Sequence, residues 1–220
     1  MKVFLRVLGF CFFSVFLCLL SGQALAATIL DFEASPQSWV GRGQSFTVTP
    51  GDGYLFSSSV GWNDSLHFNI DGLNSPFGPD WDPLSGEEYH YWRLDLSAPN
   101  GQPLELGKYE NTARWPFQGP NQPGLTFWGD HRGDNRDSGF FEVLEISFSA
   151  IGQINHFAVD FTQYGEENPD WWLHGQLRYN SDIPLPSSVP EPSTLLLMLG
   201  VLPILLPVRH YLKSWERIQW

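Results

Sequence analysis

The sequence predicts an all-β domain, an antiparallel β-sandwich or jelly roll, and three observations predict it. Short segments alternate apolar and polar residues with a period of two. Clusters of Gly, Pro and Asp separate them at roughly the spacing of a sandwich. No stretch between residues 28 and 187 carries a helical period. The 220 residues include 21 Gly and 17 Pro, and no fixed repeat points to a propeller or solenoid.

The strands follow in order. Phe46 and Val48, then Tyr54 and Phe56, then Leu66, Phe68 and Ile70 alternate with polar neighbours. The segment Tyr91 to Leu96 is the clearest: Trp92, Leu94 and Leu96 share one face, and Tyr91, Arg93 and Asp95 the other. Phe140 to Phe148 is partly apolar on both faces, as a central or bulged strand would be. Phe157, Val159 and Phe161 alternate against Ala158, Asp160 and Thr162. Leu173, Leu177 and Tyr179 oppose His174, Gln176 and Arg178. About nine or ten strands are expected.

Composition narrows the function classes. The chain carries 24 Asp plus Glu against 12 Lys plus Arg, a net charge of −12, and such a surface repels nucleic acid and anionic lipid. It suits neutral sugars, cations or water better. Ten tryptophans must supply much of the buried area where long aliphatic runs are few. Both cysteines, Cys11 and Cys18, lie near the N-terminus, so the remainder has no disulfide and relies on its core.

The ends read as addresses. Lys2 and Arg6 precede the apolar run Val7 to Leu20, and Ala24, Leu25 and Ala26 form a small-x-small site with Ala27 next. Residues 1–26 are therefore expected to be a secretory signal peptide. Leu17 before Cys18 argues against lipidation. At the other end, residues 182–192 are a Pro-rich linker, and an apolar stretch runs from Leu195 to Val208 ahead of Arg209, His210, Lys213 and Arg217. Residues 189–213 combine a Pro-Glu-Pro tripeptide with an apolar segment, and a transmembrane span is expected over about 194–212. Pro203 and Pro207 interrupt it, and as helix the continuous stretch spans only about 21 Å. Tyr211, Leu212, Trp215, Ile218 and Trp220 extend it as an interfacial anchor.

Val189, Pro190, Glu191, Pro192, Ser193 and Thr194, followed by that apolar segment and basic end, closely resemble the PEP-CTERM sorting signal of Gram-negative bacteria. The same signal is also called the ice-binding protein C-terminal domain. The resemblance implies recognition by an exosortase at the bacterial inner membrane. It also implies delivery to the cell surface or extracellular matrix, in a biofilm or floc setting rich in exopolysaccharide. It does not imply ice binding here, for which a ladder of repeated Thr would be needed.

The middle of the chain, 27–181, is the exported domain. Within it, the run Tyr91 to Leu104, with Gly107 to Asn111, Arg114 to Phe117, Asn121 to Leu125, Gly129 to Gly133, Phe157 to Phe161 and Gly175 to Ser181, resembles an uncharacterised bacterial extracellular β-sandwich domain over about 88–181. That resemblance carries no activity. It implies a Cys–Cys bridge in related sequences at two places that hold Asp134 and Gly165 here.

Candidate chemistry is sparse. Asn63, Asp64, Ser65 and Leu66 approximate the Gly-Asp-Ser-Leu block of a hydrolase family, with Asp170 and His174 as its partners. The Gly is missing, the Asp-to-His spacing is wrong and helices are absent, so a turn is the expectation. Arg132, Gly133 and Asp134 spell an integrin tripeptide that Gly-rich acidic loops produce by chance. Asp130, Asp134 and Asp137, with Asn135, supply hard oxygens for a structural Ca²⁺, and Asp80 with Asp82 a second group. Arg132 and Arg136 in the same loop offer local ion pairing instead. His67, His90, His131, His156 and His174 show no zinc spacing. Glu87 with Glu88 and Glu166 with Glu167 are sequence neighbours that would point apart on a strand. No catalytic residue and no cofactor is assigned.

Tryptophan is the remaining signal. Trp81, Trp115, Trp128, Trp171 and Trp172 lie in or beside Pro/Gly/Asp-rich loops. Adjacent Trp171 and Trp172 cannot both face a core from a regular strand. Trp171, Trp172 and Trp128 are therefore candidate glycan-stacking residues, against the plainer role of capping the sheet ends. Two function classes follow: a non-enzymatic surface adhesin or glycan-binding module, and a secreted hydrolase of the same polymers. A cleft with convergent Asp, Glu or His side chains would favour the second.

Overall fold

The computed structural model describes residues 26–72 and 90–186. The expected signal peptide before Ala26, the Asp80–Asp82 and Glu87–Glu88 pairs, Trp81, the sorting motif and the apolar tail lie outside the described residues. The chain divides into two compact units after Ile183, and the first holds every strand found among the described residues. Among the described residues no helix is long and apolar enough to cross a membrane.

Among the described residues ten strands form one sheet. They are β1 (Ala27–Ala34), β2 (Ser45–Val48), β3 (Leu55–Val60), β4 (Leu66–Asp71) and β5 (Tyr91–Ser97), then β6 (Gly107–Ala113), β7 (Gly124–Gly129), β8 (Asp137–Phe148), β9 (Ile154–Gly165) and β10 (Trp172–Ser181). Their order is β2-β1-β10-β9-β8-β6-β7-β5-β4-β3. Neighbours are antiparallel, apart from one parallel bridge, Ala113 to Gly124, between β6 and β7. The structure is thus all-β, as one continuous curled sheet where two stacked ones were expected.

Aromatic contacts between strands far apart in the ladder show the curl. Phe32 of β1 meets Trp92 of β5 edge-on at 4.8 Å and Phe127 of β7 at 5.2 Å. Phe68 of β4 stacks on Phe157 of β9 at 4.8 Å. The period of two does the sorting: Leu66, Phe68 and Ile70, with Trp92, Leu94 and Leu96, are all buried inside the curl. Each such side chain contributes about 1.5–3 kcal/mol when fully buried. The strand containing Phe140 to Phe148 lies mid-sheet and breaks register after Val143 and after Ser147, which explains its two-faced pattern.

A glutamine completes the interior. Gln163 of β9 is buried. Its Oε1 accepts from Phe127 N at 2.6 Å, and its Nε2 donates to Phe127 O at 3.0 Å. Beside Phe127 the β6–β7 pairing has already ended, so the amide satisfies backbone groups that no strand reaches.

The opposite parity builds the outer face. Register aligns Ser59, His67, Asp95 and Thr126 in one row across β3, β4, β5 and β7. It aligns Ser57, Asn69, Arg93 and Trp128 in the next. Polar residues that would ordinarily be solvated thus stand side by side on a rigid platform.

Candidate functional site

Those two rows, Ser57 apart, are the floor of a cleft of about 550 Å³, a size that suits a sugar unit or two. The β6–β7 loop supplies Arg114, Trp115 and Pro116 as one wall, and the β7–β8 loop supplies Gly133 and Asp134. Both loops fold back over the outer face. That is why Arg93 is buried, although its parity places it away from the core. The peptide between Trp115 and Pro116 is cis, and Trp115 N donates to Thr126 Oγ1 at 3.0 Å.

The floor is held by charge. Arg93 Nη2 pairs with Asp71 Oδ1 at 2.7 Å, and its Nη1 donates to the Trp92 carbonyl at 2.9 Å. Asp95 accepts from Trp128 Nε1 at 3.1 Å and contacts His67 Nδ1 at 2.6 Å. His67 Nε2 lies 2.9 Å from Ser65 Oγ, and Trp115 meets the imidazole edge-on at 4.7 Å. Both tryptophans are therefore oriented by polar or ring contacts on the cleft side and remain half-buried.

Ser65, His67 and Asp95 form a hydroxyl–imidazole–carboxylate chain that the sequence did not reveal. Ser65 and His67 share a face as i and i+2, and Asp95 is the cross-strand partner of His67. Strand register, not a motif, brings them together. Ser65 is wholly buried, and its Oγ also lies 2.8 Å from the Trp62 carbonyl. A Cβ added at Gly61 would collide with His67 Nε2, so the chain of bonds runs beneath backbone. As expected, residues 62–64 form a turn, with Asn63 and Asp64 in left-handed conformation at φ 53°. The supposed partner His174 instead contacts Thr162 Oγ1 at 2.8 Å.

Two buried carboxylates stand at the cleft wall, Asp134 in the cleft lining and Asp137 beside Thr126. Asp134 Oδ2 accepts from Gln163 Nε2 at 3.3 Å, and Asp137 Oδ2 from Thr126 Oγ1 at 3.1 Å. The Oδ1 atom of each has no partner. Burial, reinforced by the Asp134 charge, pushes the Asp137 carboxyl up to about 8. Burial also raises Asp134, against the opposing Gln163 hydrogen bond. The pair holds a proton at neutral pH.

The structure separates the candidate Ca²⁺ ligands. Asp130, in a left-handed turn at φ 46°, faces away to His90 Nδ1 at 2.7 Å, Tyr91 N at 3.0 Å and Arg132 Nη2 at 3.4 Å. Asp134 and Asp137 lie together without it, and among the described residues no three carboxylate, imidazole or thiolate groups converge on a cation. Glu166 and Glu167 do not point apart: both sit in a left-handed turn, and both reach Arg136, at 3.7 and 3.4 Å.

The candidate sugar-stacking residues divide as well. Trp128 lines the cleft. Trp171 and Trp172 lie at the start of β10 and are half-buried, and Trp172 stacks on His174 at 4.6 Å. Trp115, grouped in the sequence only with the other loop tryptophans, is the second aromatic of the cleft. No known protein family, curated protein or solved structure matches this chain, so the cleft must be read from its own chemistry.

Proposed function

We propose that this chain is an exported, surface-sorted glycan-binding module. Residues 1–26 direct secretion, and the Val189–Thr194 motif and its apolar segment present the chain to an exosortase at the inner membrane. The sheet then acts at the cell surface or in the exopolysaccharide matrix, without chemistry of its own. The observation that carries this reading is the pairing of Trp115 and Trp128 around a floor of Asn69, Arg93 and Asp95. Flat aromatic faces beside planar donors and acceptors are what a pyranose ring and its hydroxyls require. Electrophoresis of the mature chain through a gel containing the producer's exopolysaccharide tests it. Retardation that disappears in a Trp115→Ala/Trp128→Ala variant is expected; migration unaffected by the polymer would overturn the reading.

A second reading, a secreted hydrolase, draws on the Ser65–His67–Asp95 order. The burial of Ser65 beneath Gly61 weighs against a nucleophile there, and a serine-directed fluorophosphonate probe should leave the chain unlabelled. Labelling abolished by Ser65→Ala would favour the hydrolase instead.

A further inference from the structure

The aromatic surface of the cleft does not stop at Trp115. Two residues further on, Phe117 leaves 73 % of its surface exposed. A single exposed ring needs no explanation by itself, but this one is held in place beside the cleft. The Arg114 guanidinium carbon lies over one face of the ring, 5.1 Å from its centroid, within the range of a cation–π contact. Arg114 lines the cleft, and its Nη1 donates to the Asn135 carbonyl at 3.1 Å. The loop is tied down on both sides of the ring. Trp115 N donates to Thr126 Oγ1 at 3.0 Å, Phe117 N to the Arg114 carbonyl at 2.7 Å, and Gln118 Nε2 to Ser97 Oγ at 2.9 Å. Phe117 is thus a flat apolar side chain, fixed against a cleft-lining residue and open to solvent.

We propose that the solvent-facing side of Phe117 is a stacking subsite at the rim of the cleft, so that the site takes a stretch of about three or more units of a glycan chain. The proposal rests on the glycan-binding reading and extends it from a sugar unit or two to a chain. The cleft holds the first units beside Trp115 and Trp128. One residue separates Trp115 from Phe117, so at most about 7 Å of backbone lies between them, comparable to the length of one pyranose unit. A chain that leaves the cleft past Trp115 meets Phe117 at its next unit. There the apolar face of a pyranose covers the ring and withdraws its exposed surface from water. A ring already immobilised on Arg114 loses little further freedom when it is covered. Stacking reads no particular hydroxyl, so Phe117 rewards length and leaves the choice of sugar to the polar floor.

The test uses the producer's own exopolysaccharide, partially hydrolysed and sized into fragments of about two and about six units. Each is titrated against the full chain by tryptophan fluorescence. Phe117→Ala should weaken binding of the longer fragment by roughly three- to ten-fold, the range of one aromatic stacking contact, and leave the shorter one unchanged. Phe117→Tyr, which keeps a flat face, should retain the affinity for the longer fragment, whereas Phe117→Leu, apolar but not flat, should lose it as Phe117→Ala does. The registers open to a longer fragment are the same in every variant, so the comparison between proteins isolates the ring. Thermal melts check that each variant is folded. Equal weakening of both lengths, or an affinity for the longer fragment unchanged by Phe117→Ala, overturns the rim subsite but leaves the cleft a glycan site. No response of the wild type to either length overturns the glycan-binding reading and the subsite together.

Discussion

Asp134 and Gly165 lie against each other at one end of the β8–β9 pair: a Cβ built on Gly165 would stand 2.9 Å from Asp134 Cγ. That is the separation of a Cβ and a sulfur across a disulfide. The two positions where the resembling extracellular domain implies a bridge are therefore neighbours in space, joined here by packing alone. Asp134→Cys with Gly165→Cys should oxidise spontaneously, since Gly165 has no positive φ to strain a side chain. Closing a loop of roughly thirty residues should stabilise the oxidised form over the reduced one by about 3–4 kcal/mol. Thiol titration and melts with and without reductant measure both, and free thiols in the folded double variant would contradict the geometry.

Asp137 makes stability depend on pH. Its carboxyl lies at about 8 when folded, against the ordinary 3.8, so the folded state holds a proton that the unfolded chain releases. Stability from this group is fully present below pH 4, declines as pH rises toward 8 and is lost beyond it. Asp137→Asn should remove that decline and raise stability at pH 9 by on the order of 2–4 kcal/mol. Urea unfolding at pH 5, 7 and 9 reads it directly. Equal pH slopes in variant and wild type would mean that the pair is not protonated.

Gln163→Leu should destabilise the sheet by about 2–4 kcal/mol, because it leaves both the N–H and the carbonyl of Phe127 buried and unmatched. Gln163→Glu should be worse at neutral pH than at pH 4, since a carboxylate cannot donate to the carbonyl and would add charge beside Asp134. Denaturant midpoints at the two pH values separate the cases; a neutral Gln163→Leu would show that water reaches Phe127.

Sorting makes an independent prediction. A tagged chain with Glu191→Ala, or the wild-type chain in an exosortase-deficient strain, should keep its tail and stay with the inner membrane. Immunoblots of fractionated cells show the outcome. Identical processing in all three would count against exosortase recognition of Val189 to Thr194.

Much of the sheet was legible because a period of two is a local property. Trp92, Leu94 and Leu96 face the core and Arg93 and Asp95 the other way, as alternation alone requires. The curl of the single sheet was not legible, since contacts such as that of Phe32 on Trp92 are set by packing between segments far apart in the chain and in the ladder. The same limit hid the site. His67, Arg93, Asp95 and Trp128 all sit at outward positions in their own strands, but only register makes them neighbours. The surroundings of Asp134 were hidden for a related reason. Loop acids suggest cation binding by composition, whereas only the folded chain sets Asp134 against Gly165 and Gln163, where burial raises its carboxyl above the ordinary range.

The account stands or falls on whether the outer cleft holds a sugar. The most direct measurement is a calorimetric titration of the full chain with the producer's own exopolysaccharide, beside the same titration of the Trp128→Ala variant. Saturable heat in the wild type, reduced at least about ten-fold in affinity by the loss of one stacking and Asp95-orienting indole, is the predicted result. Equal heats from both proteins, or none from either, would contradict it.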